Sequence, residues 1–152
     1  MMADLGTDLK VIVGPPGLAA RDGSGLDLLS INGLPLGARH AFDLARIDGR
    51  ENLAQALILR LLTPVGALGP LGHAAYGCRL TELIGGAKTA GSRALCKAHV
   101  LAAVAQEPRV EDKAVEFAFD PASEGPSEFR FTLTVRPRTG APDVTLDLAV
   151  TL

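Results

Sequence analysis

Apolar side chains recur along this chain with two periods, and the change from one to the other divides it. From Arg50 to Leu62 the spacing is helical, with Leu53, Leu57 and Leu61 on one face and Ala54, Ile58 and Leu62 beside it. Asp48 and Glu51 precede the run at the spacing of a capping box, in which one side chain accepts from the first free N–H groups and the other reaches back. Pro64 disfavours helical geometry at Thr63 and stops the run. A short second helix is predicted near 78–85, ended by Gly85 and Gly86. A longer third one is predicted over about 90–106, started by Thr89 or Ser92 and stopped by Pro108. On that third helix Leu95, Ala98, Ala102 and Ala105 form a small-residue stripe, which would let the first helix approach closely.

Beyond Pro108 the period falls to two. Val115, Phe117 and Phe119, then Phe129, Phe131, Leu133 and Val135, then Val144, Leu146, Leu148, Val150 and Leu152 alternate with polar or small residues. The links DPASEGPSE and PRTGAP are turn-rich, so a three-stranded antiparallel meander is expected, apolar on one face. The fold class read from these patterns is α+β: three helices near 50–63, 78–85 and 90–106 packed on that meander. Residues 41–152 form one domain in this reading, and residues 1–40 an extended N-terminal arm with limited strand content, the alternative being a poorly ordered terminus. Within the arm a weak alternation over 8–13 predicts a short strand, and GPPG, DGSG and NGLPLG read as turns. GPPG is not a phosphate cradle, because Ala19, Ala20 and Arg21 stand where a P-loop needs Gly-Lys-Ser/Thr.

Composition narrows the function classes. Fifteen Lys and Arg against seventeen Asp and Glu give a formal charge of −2, which argues against electrostatic nucleic-acid binding. Arg60, Pro64, Lys97 and His99 break the apolar stretches, so no membrane insertion is expected. The acidic start MMADLGTDLK lacks the pattern of a secretory signal, so cytoplasmic assembly is expected. Two cysteines supply no disulfide framework, and no Trp with a single Tyr76 argues against an aromatic ligand pocket; no cofactor is expected.

The candidate chemistry is sparse. His73, Cys78, Cys96 and His99 make an H-x4-C…C-x2-H pattern, but the spacing matches no standard zinc site, and both cysteines read as packing residues. A glycan hydrolase needs two carboxylates flanking a cleft; Asp48, Glu51, Glu82 and Glu107 are available, and each has a simpler structural role. No catalytic or metal residue is therefore assigned, and the chain is not expected to be an enzyme. The glycine-rich stretch after the first helix predicts a rigid loop, shaped by Thr63, Gly66, Tyr76, Gly77 and Arg79. Glu107, Pro108 and Arg109 read from the residues alone as a helix stop with two solvated charges, or as an exposed charge pair at a Pro-fixed bend, suited to registering a partner's backbone or charges. The last strand has no Pro and one charge, Asp147, and so lacks the usual protection of a sheet edge.

ENLAQALILRLLTPVGALGPLG and YGCRLTELIGG, with Glu107-Pro108-Arg109 downstream, resemble the phage gene W-type (GPW) baseplate wedge family. That family includes sheath initiators of contractile phage tails and relatives in type VI secretion baseplates and extracellular contractile injection systems. The likeness spans residues 43–110; Ala67 and Ala74 depart from it, standing where the family has Glu and Pro. The resemblance implies a structural subunit, present in six copies per baseplate, in contact with baseplate wedge proteins, sheath subunits and inner tube proteins. It further implies wedge docking by Glu107, Pro108 and Arg109, and addition of sheath strands at Val144, Thr145, Leu146, Asp147 and Leu148. It also implies assembly in the cytoplasm into a phage tail-like particle. The alternative is a small lysozyme-like hydrolase of cell-wall glycan associated with a tail baseplate.

Overall fold

The computed structural model describes residues 5–11, 30–32 and 42–152. The GPPG and DGSG turns lie outside the described residues, as do most of NGLPLG and the end of the strand expected over 8–13. The described strands are β1 (Thr7–Leu9), β2 (Ser30–Asn32), β3 (Phe42–Leu44), β4 (Arg46–Asp48), β5 (Val110–Phe119), β6 (Glu128–Pro137) and β7 (Val144–Thr151). The helices are α1 (Gly49–Leu62) and α2 (Ala90–Val104). The strands form three antiparallel groups, β1 with β4, β2 with β3, and a sheet of order β5-β6-β7. No helix among the described residues is long and apolar enough to cross a membrane.

This architecture corrects the expected one, which had three helices, one three-stranded meander and an extended arm; the described residues hold two helices and further strand pairs. The segment near 78–85 forms only a 3-10 turn, Leu80–Leu83. It is confined between a bridge from Pro64 to Cys78 and the glycine pair, and Leu80 and Leu83, three residues apart, are both buried. The described part of the arm is anchored. β1 pairs with β4, Leu5 is in the core, and Gln55 of α1 donates from Nε2 to Leu9 O at 2.8 Å and accepts from Val11 N–H at 2.9 Å.

Helix α1 buries Leu53, Leu57, Ile58 and Leu61, the stripe that its periodicity predicts. Its expected capping box is absent. Asp48 makes no side-chain cap because it ends β4 opposite Thr7, and Glu51 turns instead to Lys10 at 3.3 Å. The start of α2 is capped reciprocally by Thr89 and Ser92. Its buried face is Cys96, Val100, Ala103 and Val104, while Leu95, Ala98, Ala102 and Ala105 lie exposed. The small-residue stripe therefore points away from α1, and the helix ends at Val104, two residues before Gln106.

Both helices cover the apolar face of the C-terminal sheet, α1 beside β7 and α2 beside β5. Phe129, Phe131, Leu133 and Val135 of β6 are at most 2 % exposed. Phe117 stacks on Phe131 with ring centres 4.7 Å apart. Strand β5 starts at Val110, earlier than its alternation, with an irregularity in pairing before Val115.

Candidate functional site

Past α2, the Glu107 N–H donates to Val104 O at 2.9 Å and the Val110 N–H to Glu107 O at 3.1 Å, so the chain turns tightly around Pro108 into β5. This turn aims the Glu107 carboxylate inward, where the residue is 4 % exposed. Oε1 accepts from Arg109 Nε at 2.6 Å, and Oε2 from Arg109 Nη2 at 3.2 Å. Arg60, in the last turn of α1, brings Nη2 to 3.5 Å from Oε2, and the Tyr76 ring lies over its guanidinium at 4.4 Å. Arg109 Nη1 and Asn52 Nδ2 both donate to Leu5 O, at 3.1 and 3.0 Å. Four distant parts of the chain are thus linked through Arg60 and Arg109, the two arginines beside this carboxylate. Burial pushes the Glu107 carboxyl upward, and the hydrogen bonds and charge of Arg109, with the charge of Arg60, reverse this and leave it below the ordinary carboxylate range. The triplet read as an exposed pair is a buried Glu107 with a partly exposed Arg109.

The loop after α1 is fixed by its main chain. Cys78 N–H donates to Thr63 O at 2.8 Å, Val65 N–H to Cys78 O at 3.2 Å and Gly66 N–H to Ala74 O at 3.0 Å. Thr63 Oγ1 bonds back to Leu59 O at 2.7 Å. Gly77 has φ +120°, and a Cβ there would sit 2.4 Å from Thr63 O, so no other residue fits. Tyr76 is half-buried, covering Arg60, whereas Arg79 stands outside the loop in an exposed pair with Glu82 at 2.8 Å. On the loop surface Leu71 is 73 % exposed.

The Cys and His residues do not converge on one point. Cys78 Sγ donates to His99 O at 3.3 Å, His99 Nε2 faces Glu82 at 3.8 Å, and His73 is exposed. Burial pushes the Cys96 thiol up to about 12, with the Cys78 charge adding to it, and burial raises Cys78 as well. Among the described residues no group of three or more His, Cys, Asp or Glu is placed to hold a metal ion.

Strand β7 lies at an edge of its sheet. Its register on β6 pairs Val144 with Val135, Leu146 with Leu133 and Leu148 with Phe131. Arg130 O accepts from Asp120 N–H on the β5 side and Ser127 O from Leu152 N–H on the β7 side, which fixes the alternation of the ladder. By that alternation the main-chain groups of Thr145, Asp147 and Ala149 point to the side where no strand among the described residues pairs. Their side chains occupy the polar face, where Thr132 donates to Asp147 at 2.7 Å and Thr134 meets Thr145 at 3.0 Å. Beside this edge Ile58, Leu61, Leu62, Leu80, Leu148 and Val150 line an apolar groove. On the polar face Asp120 and Asp147 share a cleft of about 180 Å³ with Arg130, Ser123 and Thr132.

Two clusters were missed in the sequence. Arg60 carried a weak signal, a lone charge inside the apolar run ALILRLL. The other cluster, Glu124 with Arg93 and Lys88, carried none, because its members are 31 and 36 residues apart in the chain.

The fold has a solved counterpart. A crystal structure from Geobacter sulfurreducens, named "putative tail lysozyme", superposes with a TM-score of 0.56 at 18 % sequence identity, over 67 % of this chain and 89 % of the other. At that identity the likeness is one of fold. No family model matches the chain, and no curated protein matches it.

Proposed function

We propose that this chain is a structural baseplate subunit of a contractile tail-like injection machine, gene W-type in character, that joins the wedge to the inner tube and starts sheath assembly by strand addition. The observation that carries the reading is the edge of β7. Thr145, Asp147 and Ala149 present main-chain donors and acceptors that no strand among the described residues meets, and an apolar groove runs alongside. The likeness in fold to a protein named as a tail lysozyme, and the resemblance over residues 43–110, support the same setting. Docking to wedge proteins falls to the Glu107-Pro108-Arg109 turn, whose partly exposed Arg109 is held in a fixed orientation by its buried partner. The test is Thr145→Pro or Asp147→Pro, which removes an outward N–H from the edge while leaving the core untouched. The variants are expected to fold and enter the baseplate but to yield tubes without sheath in the native host; sheathed particles of normal length would overturn strand addition at this edge.

One observation favours a second reading, that of a glycan hydrolase: Asp120 and Asp147 share a cleft. That cleft is open and carries Arg130, and each carboxylate accepts from a hydroxyl, Ser123 at 2.6 Å and Thr132 at 2.7 Å. Glycosidases hold one acid protonated within apolar surroundings; this cleft has Phe131, Leu148 and Ala149 in its lining, but both its carboxylates are hydrogen-bonded and Arg130 stands beside them. Clearing of a peptidoglycan suspension by the purified chain, abolished in Asp120→Asn, would establish the hydrolase in place of the structural subunit.

A further inference from the structure

Arg60 stands out among the buried charges. Its side chain is 11 % exposed, yet among the described residues none of its five N–H donors makes a hydrogen bond of ordinary length and angle. Nε is buried without any partner. Its contacts are the 3.5 Å approach to Glu107 Oε2 and the Tyr76 ring over its plane. Arg109 holds the Glu107 carboxylate through both oxygens, twice at Oε1 and once at Oε2, and Arg60 reaches it only by the long approach. The cluster therefore holds two guanidinium groups against one enclosed carboxylate. Asp8 also acts on Arg109, but from an exposed strand and with Oδ1 taken by Leu9 N–H at 2.7 Å. Buried polar groups are nearly always bonded, to protein or to water, and the Arg60 donors are open to an acceptor that arrives from outside.

We propose that Arg60, under the Tyr76 ring and beside Arg109, is a receptor for a carboxylate of a protein partner, an Asp or Glu side chain. The inference rests on the docking role given above to the Glu107-Pro108-Arg109 turn, and it supplies that role with its chemistry. A carboxylate brings a negative charge to a site with one cation in excess, and two coplanar oxygens to a planar fork of donors. A chain of net charge −2 argues against a polyanionic nucleic acid as the source of the anion. The half-buried Tyr76 closes one face of the guanidinium, which leaves approach along its edge, where the terminal nitrogens meet solvent. Entry there lets the guanidinium turn and bring Nε to the incoming acceptor, with Tyr76 as the movable cover. Arg60 is thus a specificity-determining residue, and Tyr76 positions it.

The probe is sodium glutarate, titrated into the ¹⁵N-labelled full chain while the side-chain Nε–H signals of Arg60 and Arg109 are followed by NMR, with sodium chloride at matched ionic strength and sodium phosphate as parallel arms. Saturable shifts of both signals with glutarate, absent with chloride, are expected. No shift, or the same linear drift with chloride, overturns the receptor; phosphate binding as tightly as glutarate overturns its assignment to carboxylates. Arg60→Lys keeps the charge without the fork, and its affinity for glutarate, read on the Arg109 signal, is expected to fall at least tenfold. An unchanged affinity overturns the role of Arg60, and the wild-type titration decides the receptor whether or not the variant folds. Sheath formation is not read here, so failure of this experiment and failure of strand addition at β7 are separable. To separate it from the docking role, Arg109→Lys particles are scored for baseplate incorporation: normal incorporation alongside a saturable glutarate response overturns docking while leaving the anion site in place.

Discussion

Removing the charge of Glu124 is expected to cost the fold more than any other single carboxylate outside the Glu107 cluster. Its side chain is 2 % exposed and accepts from Arg93 Nη1 and Nη2, both at 2.7 Å, from Lys88 at 2.9 Å and from Arg130 N–H at 3.1 Å. Arg93 in turn lies over Phe119 and Phe129, at 4.7 and 4.6 Å, so the cluster ties the start of α2 to the β5–β6 turn. The Arg93 hydrogen bonds outweigh burial and hold the carboxyl at about 2, against an ordinary 4.5. A carboxyl depressed in the folded chain stabilises it fully above the unfolded value, and this contribution is lost as pH falls toward the folded one. The size follows as about 3 kcal/mol at neutral pH, reduced toward about 2 because Lys88 and Arg93 are partly exposed and screened. Glu124→Gln keeps the volume and removes the charge, so urea unfolding at pH 7 should show a loss of about 2–3 kcal/mol. The gap should narrow from about pH 4.5 downward and nearly close near pH 2. A loss under about 0.5 kcal/mol, the range of ordinary surface changes, or a gap constant from pH 7 to 3, would refute the account.

Gly77→Ala should lose about 3 kcal/mol or more, as the new Cβ meets Thr63 O at a strained φ, whereas Gly72→Ala, with φ +84° and open space, should lose about 1 kcal/mol; equal losses on urea unfolding would refute the steric reading. Arg109→Ala leaves Glu107 buried with only the long contact to Arg60, and should cost about 2–3 kcal/mol at pH 7. Because Glu107 titrates low in the folded chain, that loss should shrink as pH falls through the carboxylate range, and a loss unchanged from pH 7 to 3 would count against the pair. Cys96→Ala should cost about 1–2 kcal/mol by leaving a small cavity at a fully buried site. Cys78→Ser and Cys96→Ala should respond to a chelator as the parent chain does, with no change in Tm; a chelator-dependent loss in the parent would show a structural metal instead.

The sequence by itself determined the elements whose cause is local. The stripe of Leu53, Leu57, Ile58 and Leu61 on α1, the alternation of Phe129 to Val135 on β6 and the Thr89–Ser92 cap of α2 depend on near neighbours and on the pitch of helix or strand, which spacing reveals. The face of α2 was not determined this way. Its apolar residues surround the axis, so the pattern offers more than one face, and packing on the sheet buries Cys96, Val100, Ala103 and Val104 while Leu95 and the alanines beside it meet solvent. The segment near 78–85 has helix-forming residues, but a bridge to Pro64 on one side and two glycines on the other leave it one turn. Nor could spacing show that Glu107 is buried beside Arg60 of α1, with Tyr76 over Arg60 and Leu5 bonded to Arg109, because these residues are distant in the chain and meet only in the packed structure. The open side of β7 has the same origin. Alternation states which side chains face the core, but only the order of strands decides which main-chain groups are left for another chain.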